Sequence, residues 1–359
     1  MRKSIAIIIT SILVLSGCNK QQSVSDRLLN EVGKAIAINP DSASNLLKSI
    51  SSPEKLDDKT FARWCMLSGK ITDEIFTTIL PTYQLERAYD WYSSHGSPDE
   101  QVQILIYLGR SYFADGDYDK AMSIYTNALD IAEKNKLNNL TGYTYSYIGD
   151  LYGEKFMRTE AIKRYKAAAE CFKKENNTDS YACALRDVGR EYACIDSLSR
   201  ALKILTIADS VARNTKNIEV TASIDNALGN IYAMQNKYDK AEEYFLKALV
   251  GRETMPDYMA LIDLYIASGA INKAQELLSK ILQDNPKYTY SIKYLYYQIY
   301  NEEKNYKEAL TNLKEYVEIT DSIIYADNQS KILNIESKYN HLKISKEVDR
   351  LKIKQHSYI

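Results

Sequence analysis

A 40-residue period constrains this chain more than any other feature. Gly109, Gly149, Gly189 and Gly229 recur at that spacing. Each follows an apolar residue (Leu108, Ile148, Val188, Leu228) and stands three before a tyrosine (Tyr112, Tyr152, Tyr192, Tyr232). Ala121, Ala161, Ala201 and Ala241 come twelve residues after the glycines, and Ala128, Ala168, Ala208 and Ala248 seven further on. Tyr125, Tyr165, Leu205 and Phe245 stand between those alanines. A fixed period of this length marks an array of stacked units. The apolar–Gly–x–x–Tyr group shares one side of a first helix. The Ala–bulky–Ala group has i, i+4, i+7 spacing and makes one stripe on a second helix. Turn residues such as Asp115-Gly116-Asp117 and Gln235-Asn236-Lys237 separate the two. One hairpin cannot bury its own apolar face, so copies stack. The missing side chain at each glycine admits a second helix, and Gly149 is expected to face Ala161.

These positions resemble the tetratricopeptide repeat, with its small, aromatic and alanine positions in that order. The resemblance covers most of the chain after residue 26 and is specific in the four central copies. It implies an all-α fold, a right-handed α-solenoid of helix hairpins. The family's usual repeat is about 34 residues; here the second helix and its following loop are longer, as at Lys134–Thr141.

Outside the central copies the pattern loosens. Asp26–Ile38 and Asp41–Ile50 read as a helix pair broken at Asn39-Pro40, with Asp41 as the cap of the second. Thr60–Leu80 reads as one longer helix stopped by Pro81, with Gln84–Ser94 as its partner. Tyr265, Ala274, Leu278, Ile281 and Pro286 fit a fifth copy, and Tyr297, Tyr300, Ala309, Leu313 and Tyr316 a sixth. From Asp321 the repeat stops. Ile332, Ile335, Tyr339 and Leu342 then follow a 3-4 spacing that predicts a long helix of weak coiled-coil character, either capping the array or pairing with a partner. That tail, with its basic end (Lys343, Lys346, Arg350, Lys352, Lys354), is similar to the pre-membrane stretch of a group of repeat proteins of Bacteroidetes-type bacteria. In those proteins a membrane span and a signalling or DNA-binding part follow; this sequence ends at Ile359 without them.

The amino end reads as a targeting segment. Arg2 and Lys3 precede an apolar run, Ile5–Leu15, too short for an ordinary span of ~20 residues. Leu15-Ser16-Gly17-Cys18 resembles the bacterial lipobox, which implies that Cys18 is lipidated and becomes the first mature residue. The expected organisation is thus a signal peptide (1–17), a polar tether (18–25), divergent helix pairs (26–97), the hairpin array (98–320) and the C-terminal helix (321–359). The tether lacks an acidic cluster, so the expected address is the bacterial cell envelope, lipid-anchored and facing the periplasm.

Other chemistry is sparse. The 46 Lys and Arg against 47 Asp and Glu leave no basic footprint for nucleic acid. The three histidines (His95, His341, His356) lack metal-ligand spacing, and no phosphate loop, dinucleotide turn or nucleophile elbow is present. No catalytic residue, metal or cofactor is expected. Cys171 and Cys183 stand equally far from the turn near Asn177, which leaves both a disulfide and buried free thiols open.

Arrays of this kind bind proteins or peptides in the groove lined by first helices. In clamp-type members of the family, residues at the fifth and ninth first-helix positions grip a peptide carboxylate. The same register gives Arg186 and Arg190 in one copy and Asn226 and Asn230 in the next. Ser146 and Asp150 hold these positions in the copy before, and Arg110 the ninth position before that. The alternative for this face is a solvated polar groove with Arg190 paired to Asp150. Tyr143 and Met234 are candidates for apolar contacts. The resemblance therefore implies a membrane-tethered scaffold for a protein or peptide with an acidic or C-terminal carboxylate group. The rival is the sensor part of a signalling protein.

Overall fold

The computed structural model describes residues 25–75, 79–284, 289–326 and 329. Among these the secondary structure is α-helical, apart from one short 3₁₀ turn at Pro53–Lys55, with no strand. In chain order the helices are α1 (25–35), α2 (Pro40–Lys48), α3 (Asp58–Ile75), α4 (Thr82–His95), α5 (Pro98–Ala114), α6 (Tyr118–Lys134), α7 (Asn138–Glu154) and α8 (Arg158–Lys174). There follow α9 (Thr178–Cys194), α10 (Leu198–Ala212), α11 (Ile218–Met234), α12 (Tyr238–Gly251), α13 (Met255–Ala267), α14 (Ile271–Asp284), α15 (Thr289–Glu302) and α16 (306–326). The chain divides into two compact units, residues 1–151 and 152–359. Within each, sequential helices pack as neighbours: α3 on α4 and α5 on α6 in the first, α9 on α10 and α11 on α12 in the second.

The repeated residues form the seam of each hairpin. Ala121, Tyr125 and Ala128 of α6 are buried, as are Ala201, Leu205 and Ala208 of α10 and Ala241, Phe245 and Ala248 of α12. The glycine of a first helix lies against the bulky residue of the second. A Cβ at Gly189 would meet Leu205 at 2.6 Å, one at Gly229 would meet Phe245 at 2.6 Å, and one at Gly109 would strike the Tyr125 ring. A fifth glycine, Gly69 in α3, falls on the same 40-residue spacing, and there the ring is Tyr107 of α5.

Turns within hairpins pass through the left-handed region at Gly116, Phe156, Asp196 and Asn236, which reverses the chain in few residues. Asp117, Asn177 and Asn217 cap the following helices, each accepting from a backbone N–H three residues on at 3.2–3.3 Å.

Several boundaries differ from the sequence reading. The cap of α2 is Asn39, whose Oδ1 accepts from Ser42 N at 2.8 Å; Asp41 sits inside the first turn, where its charge favours the helix dipole. Helix α3 is described through Ile75, and Ile79–Leu80 is not helical. Pro81 disfavours helical backbone at Leu80, whose carbonyl instead accepts from Ser111 Oγ at 2.8 Å. Helix α16 runs through Asp321 without a break to 326. The expectations for Cys18 and the signal segment, for Pro286 and for the helix around Ile332–Leu351 fall outside the described residues.

Candidate functional site

First helices of the first unit line a groove of about 560 Å³. Asp73 and Glu74 of α3, Ile106, Tyr107 and Arg110 of α5, and Tyr143 and Tyr147 of α7 face it. Of these, the repeat register singled out Arg110, and Tyr143 was a candidate for an apolar contact. The Arg110 guanidinium is held on two sides. It donates to Asp73 Oδ1 in an ion pair, and it lies 5.5 Å from the centre of the Tyr147 ring. Tyr107 donates its hydroxyl to Asp73 Oδ2 at 3.0 Å, and Tyr147 stacks on Tyr125 with ring centres 5.7 Å apart. Burial pushes the Tyr147 phenol up to about 12. The wall is therefore tied together by these contacts, neutral at the Arg110–Asp73 pair, and aromatic. Tyr143 remains exposed at its rim, and Ser146 of the same helix is half-buried while Asp150 is exposed.

The second unit carries the expected clamp residues, and there the chain supplies its own carboxylates. Arg186 donates Nε to Asp187 Oδ1 at 3.0 Å and Nη2 to Oδ2 at 3.1 Å, a bidentate pair, while Nη1 donates to Ser223 Oγ at 3.0 Å. Asn226 donates Nδ2 to Asp257 Oδ1 at 2.9 Å. Asp257 is fully buried and also accepts from Arg252 at 3.0 Å and from the Thr254 hydroxyl. Asn230 folds back on Asn226 at 2.9 Å. Arg190 projects, its side chain 66 % exposed, with Asp187 3.9 Å away, and Asn230 is exposed too. The two pairs do sit on neighbouring first helices, as the register required. Half of the set is engaged internally, through Asp187 and Asp257, which the register did not single out.

Cys183 carries a free thiol, 3.9 Å from Arg186 Nη1, so the Cys171–Cys183 bridge is not formed. That guanidinium also binds Ser223 of α11, which places the sulfur on the side of the next hairpin. Burial raises the Cys183 thiol above its ordinary range. Among the described residues no group of three or more His, Cys, Asp or Glu could hold a metal, and no helix is long and apolar enough to cross a membrane.

Comparison with known proteins matches the hairpin geometry. Residues 105–138 and 221–255 each match a tetratricopeptide repeat family. No curated protein matches the chain. Among solved structures, the apo form of RapI is similar over 88 % of this chain and 96 % of its own, at 14 % identity and a TM-score of 0.55. NprR in complex with its cognate peptide NprX is similar over 90 % and 98 %, at 14 % identity and a TM-score of 0.51. A tetratricopeptide repeat protein from Parabacteroides merdae is similar over 72 % and 93 %, at 16 % identity and a TM-score of 0.51. The matched segments are helix α5 with α6 and helix α11 with α12, the hairpins whose glycine–ring seams were described above. The fold is thus an all-α solenoid of tetratricopeptide-type helix hairpins, and two of its hairpins match the tetratricopeptide repeat by sequence.

Proposed function

We propose that the chain is a membrane-tethered lipoprotein of the bacterial envelope, facing the periplasm, whose hairpin array is a scaffold for a protein or peptide. The observation that carries the binding reading is the first-unit groove, which is lined by side chains of successive first helices and offers Tyr143, Ile106 and Leu140 beside polar groups. The NprR structure, which has the same fold, holds a peptide, and that analogy supports the class of ligand. The anchor reading rests on the lipobox-like ending at Cys18 alone.

The groove suits an apolar or aromatic peptide side chain better than a bare carboxylate. Arg110 already faces Asp73, so an incoming anion meets a neutralised cation. In the second unit Arg190 and Asn230 remain accessible for a carboxylate, but in open solvent such a contact contributes little.

Peptides selected by display on the full-length chain provide the test of binding. Tyr143→Ala should weaken the best binder by about tenfold, consistent with loss of one aromatic contact, with helicity unchanged. Equal affinity for both proteins would remove this groove from consideration. The anchor is tested separately: Cys18→Ser should leave the membrane fraction or retain its signal segment, and unchanged fractionation and processing would refute lipidation.

A further inference from the structure

Helix α12 has two apolar faces. The inner one, Ala241, Phe245 and Ala248, is the hairpin seam and is buried. The outer one is Leu246, Leu249 and Val250, at i, i+3, i+4 spacing; Val250 is 91 % exposed and Leu246 46 %. The repeat itself provides the control for this second face. Positions equivalent to Leu246 and Val250 are Thr126 and Asp130 in α6, Lys166 and Glu170 in α8, and Thr206 and Ser210 in α10, all exposed. Three sister helices keep polar residues there, so the hairpin does not need leucine and valine at these places. Ile218, 64 % exposed at the start of α11, adjoins the same end of α12.

Val250 forms a ridge between two grooves. One, of about 490 Å³, is lined by the loop after α10, by α11 and by the end of α12; Ile218 and Gly251 belong to it. The other, of about 770 Å³, lies over α13 between α12 and α14, with Leu277 in its wall. A ridge beside a groove on one surface is the shape a two-fold axis can make self-complementary, because each copy's ridge enters the other's groove. The charges agree with this. Of the groups lining the grooves, Lys247 and Lys273 are paired within the chain to Glu243 and Glu242, and Arg213 to Asp209 and Asp225. The exposed groups that remain are Lys216 and Lys280 against Glu253 and Glu276, two of each sign. A partner of one sign would leave half of them opposed; a second copy presents both signs. The chain's own C-terminal stretch, with Lys343, Lys346, Arg350, Lys352 and Lys354, is poorly matched to such a rim.

We propose that the outer face of α12, with its two flanking grooves, is a self-association surface and that its occupant is a second copy of this chain. The proposal does not depend on the peptide groove of the first unit.

Sedimentation velocity of the full-length chain, in a density-matched detergent over a wide concentration range, tests it. The expected result is a reversible monomer–dimer equilibrium. Leu246→Thr with Val250→Ser copies the residues of α10, so the variant should fold and melt as the parent does. Because a two-fold interface counts each change twice, the dimer dissociation constant should rise on the order of a hundredfold. Lys216→Glu with Lys280→Glu makes the free rim charges all acidic and should also favour monomer, more so at low salt. A parent that stays monomeric at every concentration overturns the proposal. So does a Leu246→Thr, Val250→Ser variant that dimerises as tightly as the parent.

Discussion

The groove of the first unit and the polar face of the second hold similar residue types in a similar register, and they are in opposite states. In the first, Arg110 pairs with Asp73 within a wall of tyrosines, and Tyr143 and Ile106 line the groove beside that pair. In the second, Arg186 and Asn226 stand where a ligand carboxylate would be held, and Asp187 and Asp257 already take that role. Register alone selects which side chains point into a groove. Whether they are open to a ligand depends on what the rest of the chain places opposite them, since a buried carboxylate with several donors binds them more firmly than a solvated guest.

The largest expected effect comes from breaking the self-satisfied face. Asp257→Ala removes a fully buried carboxylate shared by Arg252, Thr254 and Asn226. It should destabilise the protein by on the order of 3 kcal/mol, read by denaturant unfolding. A loss within experimental error would mean that this carboxylate does not organise the face. The hairpin beneath the face offers a second contrast. Gly229→Leu drives a side chain into Phe245 and should cost about 1–3 kcal/mol in the same measurement. Gly153→Ala meets no atom nearer than Glu191 Oε1 at 3.4 Å and should be neutral, or stabilising by up to about 1 kcal/mol. Equal losses at the two glycines would contradict the seam.

A smaller effect concerns Asp225, buried on α11 behind the same face. Desolvation raises its carboxyl to about 6, against the pull of Arg213. Its folded pKa lies above the unfolded one, so the folded state binds the extra proton between about pH 4 and 6. Stability contributed by that proton is present at the acid end and lost as pH rises through about 6. Asp225→Asn should therefore match the parent near pH 4. At pH 7 it should be more stable by on the order of 1–2 kcal/mol, because the neutral amide avoids the burial cost. Parallel stability curves for the two proteins across this range would show that Asp225 stays charged at little cost.

Much of the fold was legible because its determinants repeat. Gly, Tyr and Ala at fixed offsets mark the seam in each copy, and the turn at Asp115-Gly116-Asp117 needs only local chemistry. Gly69 was equally legible by arithmetic, 40 residues before Gly109, but Ser68 stands where the central copies have an apolar residue and Thr72 where they have tyrosine. The loss of helix by Ile79–Leu80 was obscured by an insertion whose strong stop signal, Pro81, lies beyond it. The state of the candidate sites was not legible. Asp73 stands 37 residues before Arg110, and Asp257 stands 31 after Asn226, outside the four regular copies. Pairing at such separations depends on side-chain direction across neighbouring helices, which periodicity does not report.

The difference between the two surfaces can be measured most directly in living cells. A photo-crosslinking residue placed at Tyr143 reports on the rim of the first groove, and one placed at Asn230 reports on the polar face. The account predicts a protein or peptide adduct from position 143, at a yield well above that from position 230. A strong adduct at 230 with none at 143 would contradict it and would make the polar face of α9 and α11 the binding surface.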